Sequence, residues 1–213
     1  MSRKLNYYGS YSDGIIRQNL IQWLKGGANV DLVSGIWGDS SGNSNDATLP
    51  NGATANANNV LLDGVSQYVN LPLPSTDNYT MTVYLRSLSV NPQDRMLQAV
   101  SGSTTIGWNL NFGGRVYSFN GTTFLNTGVI LPVGTRYSLT YVRDLTSLKT
   151  YYNDNLVLTQ NHSNVNNGQF TNIGIGNKQL LINGNFHNCE VYSFLRYDTD
   201  LTASQIAYNN SKI

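Results

Sequence analysis

The residues from Trp37 to Leu49, WGDSSGNSNDATL, crowd side-chain oxygen into one short span. Asp39, Ser41, Asn43 and Asn45 fall at alternate positions. Oxygen ligands at the first, third, fifth and seventh places open a helix-loop-helix calcium loop, so these four are candidate calcium ligands. The remainder of that loop is missing. Glycine stands fourth, as Gly42, instead of sixth, and the twelfth place is Pro50 instead of a bidentate glutamate. The same residue types also build a tight turn. Asp39 can accept hydrogen bonds from N–H groups two residues on, and Gly42 can take positive φ. A structural turn over Asp39 to Asp46 is the leading reading, with calcium binding and direct ligand contact as its alternatives.

Catalytic constellations are sparse. Glu190 is the single glutamate; the other eleven acids are aspartates. Glycoside hydrolysis normally needs two carboxylates about 5 to 9 Å apart across the sugar. No strand-like run here carries two acids two residues apart. Asp198 and Asp200 have that spacing but stand before a helical pattern, where capping and the helix dipole account for them. The lone Cys189 has His187 two residues away on the same run, and the other histidine, His162, is remote in sequence. This predicts a buried structural thiol and no disulfide. Two histidines and one cysteine give no zinc spacing. There is no Gly-x-Ser-x-Gly elbow. GIGNKQ lacks the third glycine and the following helix of a dinucleotide loop. The expectation is a non-enzymatic protein. A hydrolase-like enzyme working through Glu190 or Asp144 is the minor alternative.

Composition narrows the class further. The 213 residues carry a net charge of +1, with 12% charged and 40% hydrophobic residues. Such a chain can fill a core and is not of disordered type. It has no basic excess to meet nucleic acid and no apolar run of about 18 residues to cross a membrane. The start, MSRKLNYYGSYSDG, has basic residues without an apolar stretch after them, so no secretory signal is read there. The body nevertheless has the Asn, Ser, Thr and Tyr richness of an extracellular surface. A virus particle reconciles the two, because its proteins fold in host cytosol and face outward after release.

Period-two alternation dominates the chain. Tyr79, Met81, Val83 and Leu85 alternate with Thr80, Thr82, Tyr84 and Arg86; Ile106, Trp108, Leu110 and Phe112 alternate with small and polar residues; Tyr137, Leu139 and Tyr141 share a side. These are strands with one face on a core. Further strands are expected in LIQWLK, VLLDG, QYVNL, RMLQAV, RVYSFN, LKTYY, LVLTQ, NIGIG and FHNCEVYSFLRY. The last is apolar on both faces, Phe186, Tyr192 and Phe194 against Cys189, Val191 and Leu195, which places it centrally. YYNDNLVL reads as a hairpin with positive φ at its Asn153–Asn155 tip. Turn clusters such as PNGA, DGVS and NGTT separate the runs. One helix is predicted in LTASQIAYNN, capped by Asp200 or Thr202 with Gln205 closing a capping box, and packed through Leu201, Ile206 and Tyr208. The fold class is all-β: a two-sheet antiparallel jelly-roll sandwich with one short C-terminal helix. Residues 1–18 form an arm or loop, with Tyr7, Tyr8 and Tyr11 lying either on a neighbour or on the chain's own domain. Residues 19–213 form the sandwich domain.

The segments NLIQWLK, GIWGDSSGNSNDATLPNG, VLLDGVSQYVNLP, YYNDNLVLTQ, IGIG, INGNFHNCEVYSF and LTASQIAYNN occur in that order. They resemble the laminin-G-like jelly-roll domains of the concanavalin A-like lectin and glucanase superfamily, over about residues 19 to 210. The resemblance implies two curved antiparallel sheets and a scaffold role for the Asp-x-Ser-Gly-Asn turn. Some such domains bind calcium and glycans at a sandwich rim. The hydrolase branch carries a Glu-x-Asp-x-Glu strand that this chain lacks. Similar domains occur among bacteriophage virion proteins.

These observations favour a non-enzymatic structural or adhesive protein of a virus particle, a head-decoration, tail or fibre component. It would present a sandwich to other virion proteins, through the N-terminal arm among other surfaces, or to a surface glycan. The alternative is a carbohydrate-binding module of a bacterial surface protein, with an extracellular or cell-surface location. Flat rings stack on sugar faces, so Tyr117, Phe119, Tyr151 and Tyr197 are the candidate ligand contacts, each with sandwich packing as its competing role. Four N-x-[ST] sequons, at Asn78, Asn120, Asn161 and Asn209, match what this composition gives by chance.

Overall fold

A computed structural model of the chain describes residues 14–72, 78–90, 95–101, 104–111, 114–120, 123–161, 172–176 and 186–213. In chain order the strands are β1 (Leu20–Lys25), β2 (Val30–Asp31), β3 (Ile36–Trp37), β4 (Ala47–Thr48), β5 (Thr54–Asn56), β6 (Asn59–Asp63), β7 (Val69–Leu71), β8 (Tyr79–Ser87) and β9 (Arg95–Ser101). They continue as β10 (Thr104–Asn111), β11 (Arg115–Asn120), β12 (Phe124–Ile130), β13 (Arg136–Arg143), β14 (Ser147–Tyr152), β15 (Asn155–Asn161), β16 (Asn172–Ile175) and β17 (Asn188–Tyr197). One helix follows, α1 (Ala203–Asn210).

Among the described residues the strands form two antiparallel sheets. The first runs β15–β14–β13–β8–β17–β6–β5, with β1 also paired to β17, and the second runs β12–β11–β10–β9–β16–β7–β4–β3–β2. This is the expected two-sheet sandwich. The alternating residues of β8 and β13 face as their pattern predicts: Tyr79, Met81, Val83, Leu85, Tyr137, Leu139 and Tyr141 lie in the core between the sheets. Trp108 is wholly buried there and meets Tyr141 edge to face at 5.3 Å between ring centroids. Ile106, Leu110 and Phe112 lie outside the residues whose side chains are described. The β14–β15 hairpin turns at Asn153 with φ of 51°.

A second apolar cluster covers the outer face of the first sheet. Tyr84, Tyr151, Leu195 and Tyr197 supply the sheet side, and Ile15, Ile16, Leu201 and Ile206 form its roof. Residues 14–16 thus pack on their own domain; Tyr7, Tyr8 and Tyr11 lie outside the described residues. The roof is pinned by polar bonds: the Ile16 N–H donates to Asn209 Oδ1, and the Tyr197 hydroxyl donates to the Ile16 carbonyl. Thr202 caps α1 with Gln205 closing the box, as predicted. Asp198 and Asp200 stand before the cap, and no acid lies in the first turn, so the capping role assigned to them is corrected.

The central strand β17 departs from strict alternation. Opposite β8, Val191 pairs with Leu85 and Ser193 with Tyr84, leaving Tyr192 as the extra residue of a bulge. Beyond it the faces exchange. Cys189, Val191 and Phe194 point into the inner core, whereas Tyr192, Leu195 and Tyr197 join the outer cluster. The predicted grouping of Phe194 with Tyr192, and of Leu195 with Cys189, is therefore corrected.

Truncating Trp108 leaves a cavity between the sheets. Trp108→Ala should lower unfolding stability by about 3 to 5 kcal/mol in a denaturant titration. An unchanged midpoint would mean that the ring does not fill this core.

Candidate functional site

The Asp39–Asp46 stretch lies along the free edge of β1. Asp39 Oδ1 accepts from the N–H of Trp23 at 2.8 Å and of Ser41 at 2.8 Å, while Oδ2 accepts from the Asn45 N–H at 3.0 Å. Ser41 Oγ lies 2.7 Å from Asp39 Oδ2 and 3.1 Å from the Ile21 carbonyl. The amides of Asn43 and Asn45 donate to the carbonyls of Leu20 and Ile21. The Ser40 N–H donates to the Trp23 carbonyl, and Asp46 Oδ1 accepts from the Asp39 N–H. Gly42 has φ of 93°, the positive value expected of the turn. The four candidate calcium ligands thus satisfy backbone groups that an edge strand would otherwise leave open. Among the described residues no cluster of three or more His, Cys, Asp or Glu could hold a metal ion.

The carboxylates proposed for hydrolysis have internal partners. Glu190 accepts from Arg86 Nη2 at 2.7 Å and from the Tyr192 hydroxyl. Partial burial pushes the Glu190 pKa up, but these two hydrogen bonds and the Arg86 charge outweigh it, so the net shift is downward. Asp144 is held low in the same way: burial is outweighed by the Ser147 hydroxyl, the Thr146 N–H and Lys149. Cys189 is buried in the inner core. His187, also buried, has Nε2 2.9 Å from Ser87 Oγ. His162 lies outside the described residues.

The four aromatic candidates separate into two faces. Tyr151 and Tyr197 are buried in the outer cluster of the first sheet, and Tyr197 is bonded to Asn209 as well as Ile16. They cannot present a ring to a ligand, which corrects that assignment. Tyr117 and Phe119 are partly exposed on β11, and Phe119 stacks on Phe124 at 4.2 Å.

A groove not anticipated from the sequence lies where the C-terminal end of α1 meets the first sheet. It has two compartments that share Arg136, Tyr192 and Ile213. The first, about 300 Å³, is walled by Tyr84, Tyr137 and Tyr192, with Asn153, Asp154 and Asn210 at its rim. The hydroxyl of Tyr84, a residue only 7% exposed, has no hydrogen-bond partner, and neither has Asn210 Oδ1. Asn210 Nδ2 holds Asp154 Oδ1 at 2.7 Å. Burial raises the Tyr84 phenol far above its ordinary range, so it stays a neutral donor. The second compartment, about 430 Å³, is lined by Trp23, Lys25, Arg136, Tyr192 and Lys212 among others. The Arg136 guanidinium lies over the Tyr192 ring at 3.8 Å.

The signal for this groove was a cross-strand row. Arg136 stands opposite Arg86 on β8, and Arg86 opposite Glu190 on β17. Two like charges side by side on a sheet are unfavourable unless an acid or a ligand compensates. Glu190 compensates Arg86 directly and feels Arg136 only at longer range.

No protein-family model and no curated protein matches the chain. Solved structures do share its fold. Trypanosoma rangeli sialidase in complex with 2,3-difluorosialic acid superposes with a TM-score of 0.78 at 13% identity, over 91% of this chain and 32% of that one. The same sialidase in complex with sialic acid gives 0.77 at 13% identity, over 91% and 33%. The chain thus spans about a third of the sialidase. Domain 4 of AbnA, a GH43 extracellular arabinanase from Geobacillus stearothermophilus, in complex with arabinotriose, gives 0.72 at 18% identity, over 89% of this chain and 97% of that one. The chain shares the β-sandwich fold of these domains.

Two outcomes follow from this geometry. Asp39→Ala leaves the Trp23, Ser41 and Asn45 N–H groups without their acceptor and should cost about 2 kcal/mol in a denaturant titration; a loss below the error of the titration would remove the clasp. Glu190 has a folded pKa below its unfolded value. Its pairing therefore stabilises the fold above the unfolded carboxylate pKa of about 4, and that stability is lost as pH falls through the folded value. Glu190→Gln should flatten the decline of the urea midpoint between about pH 6 and about pH 3. An identical acid limb in the two proteins would contradict the assignment.

Proposed function

We propose that the chain is a non-catalytic carbohydrate-recognition domain whose binding site is the groove beneath the C-terminal end of α1. The observation that carries this reading is a pair of buried polar atoms without partners, the Tyr84 hydroxyl and Asn210 Oδ1, on residues that line the same compartment. A buried polar atom left unpaired destabilises a fold by about 1 to 3 kcal/mol, which a ligand hydroxyl would recover. Sugars supply hydroxyls that donate and accept, carried on an apolar ring face, and the first compartment pairs aromatic walls with amide and carboxylate rims. A fold shared with a domain solved with arabinotriose supports the same ligand class. The internal pairing of Glu190 and Asp144 supports the absence of bond cleavage.

The placement of this domain on a virus particle, as a laminin-G-like component of a phage head, tail or fibre, is our second reading. It is favoured by a polar surface composition combined with a single buried thiol, which suits folding in a reducing cytosol and work outside it. Mass spectrometry of purified particles tests it, and absence of the chain from them would exclude it.

Tyr84→Phe separates a binding hydroxyl from a packing one. Removing the orphan oxygen should raise stability by about 1 kcal/mol. It should also weaken glycan binding about tenfold, as read by titration against the hits of a glycan array. An array without hits, or undiminished binding by the variant, would refute the site.

A further inference from the structure

The second compartment differs in charge from the first. Lys25, Arg136 and Lys212 line it, and no carboxylate side chain does. Each cation is set against an aromatic ring: Lys25 Nζ is 5.0 Å from the Trp23 centroid, Arg136 Cζ 3.8 Å from Tyr192, and Lys212 Nζ 5.2 Å from Tyr208. Among the described residues none of the three makes an ion pair. The side-chain carboxylates around the groove are already engaged. Glu190 is held by Arg86 and Tyr192, and Asp154, in the first compartment, accepts from Asn210. Ring contacts fix the heads of long side chains at reduced entropic cost, and the edge of a stacked guanidinium keeps its donors for a planar anion.

We propose that this second compartment is an anion subsite that takes the carboxylate of an acidic sugar residue, so that the ligand of the groove is an acidic glycan. The inference rests on the groove being a carbohydrate site and adds the charge of the ligand. The sugar ring and its hydroxyls occupy the first compartment, against Tyr84 and Asn210. The acid group crosses the shared wall of Arg136 and Tyr192 and meets the Arg136 fork, with Lys25 and Lys212 flanking it. A carboxylate matches that fork by paired hydrogen bonds.

Matched ligands test this. Oligogalacturonate, alginate oligomers and sialyllactose are each titrated beside their neutral methyl esters. At least one acid should bind roughly tenfold or more tightly than its ester, and the preference should shrink as salt is raised. In the doubly substituted Lys25→Gln, Lys212→Gln chain the preference for acid over ester should shrink severalfold while the ester is unaffected, and adding Arg136→Gln should abolish the preference. All three positions are exposed, so the fold is retained, which an unchanged melting temperature verifies. Inorganic phosphate alone should bind about a hundredfold more weakly than the preferred acid. Equal binding of acid and ester would overturn the anion subsite and leave the sugar site standing. So would a preference that survives loss of the cations, or phosphate binding as tight as the acid's. Failure of every acid and every ester to bind would overturn both.

Discussion

The bulge at Tyr192 is the constraint from which the rest of the architecture follows. β17 runs between β8 and the pair formed by β1 and β6, so each of its edges is covered. With strict alternation, Phe194 would share the outward face of Tyr192, and Leu195 and Tyr197 would point between the sheets. One extra residue reverses this, sending Phe194 inward and the other two outward. A one-residue slip exchanges every side chain between faces, so both cores depend on the same irregularity. Glu190 and Tyr192, two residues apart, share the outward side by ordinary alternation, so the Tyr192 hydroxyl reaches Glu190 and its ring carries Arg136, and the bulge adds Ser193 to that side. Both apolar packings, and the Ser193 lining of the second compartment, follow from one local departure from regular pairing.

The backbone at the bulge is closed by the end of β1. The Gly26 N–H donates to the Tyr192 carbonyl at 2.7 Å. The chain then passes so near the turn between β5 and β6 that a Cβ on Gly27 would collide with the Asn56 carbonyl oxygen, so only glycine fits. The other edge of β1 is covered by Asp39, Ser41, Asn43 and Asn45. A strand thus held on one side by β17 and on the other by side chains keeps Trp23 and Lys25 in place along the second compartment. Trp23 adds its own tie, its indole N–H donating to Ser193 Oγ. The residues that first suggested metal chemistry serve the groove indirectly, by fixing its wall.

Alternation made the inward faces of β8 and β13 legible, because polar and apolar residues exchange there at every step except Tyr84 and Val142. The capping box of Thr202 and Gln205 and the turn at Asn153 were legible for the same local reason. β12 escaped notice: it is an edge strand whose Phe124 and Ile130 are exposed while Thr127 is buried, which inverts the expected contrast. The bulge could not be read from an all-apolar run, since VYSFL offers apolar residues to either face. Tyr151 and Tyr197 could not be told from surface rings because nothing local announces the roof formed by Ile15, Ile16 and α1. The groove was hidden for a related reason. Its walls come from β1, β8, β13, β17 and the segment after α1, so their proximity is a product of topology.

The charge at the groove is a matter of placement. The chain carries 13 basic and 12 acidic residues, so composition alone gives no reason for a basic surface. Arg86 and Lys149 are matched by Glu190 and Asp144 within hydrogen-bond distance. Lys25, Arg136 and Lys212 instead converge on one compartment without such a match among the described residues. A near-neutral molecule exerts little long-range pull on a charged ligand, and salt screens exposed charges beyond about 10 Å. Cations gathered this closely therefore act at contact, where they discriminate between ligands more than they hasten encounter. The orphan hydroxyl of Tyr84 acts over the same range, because its free-energy cost is relieved only by an atom within hydrogen-bonding reach. On the proposed reading the two compartments are complementary parts of one short-range recognition surface, one suited to hydroxyls and the other to negative charge.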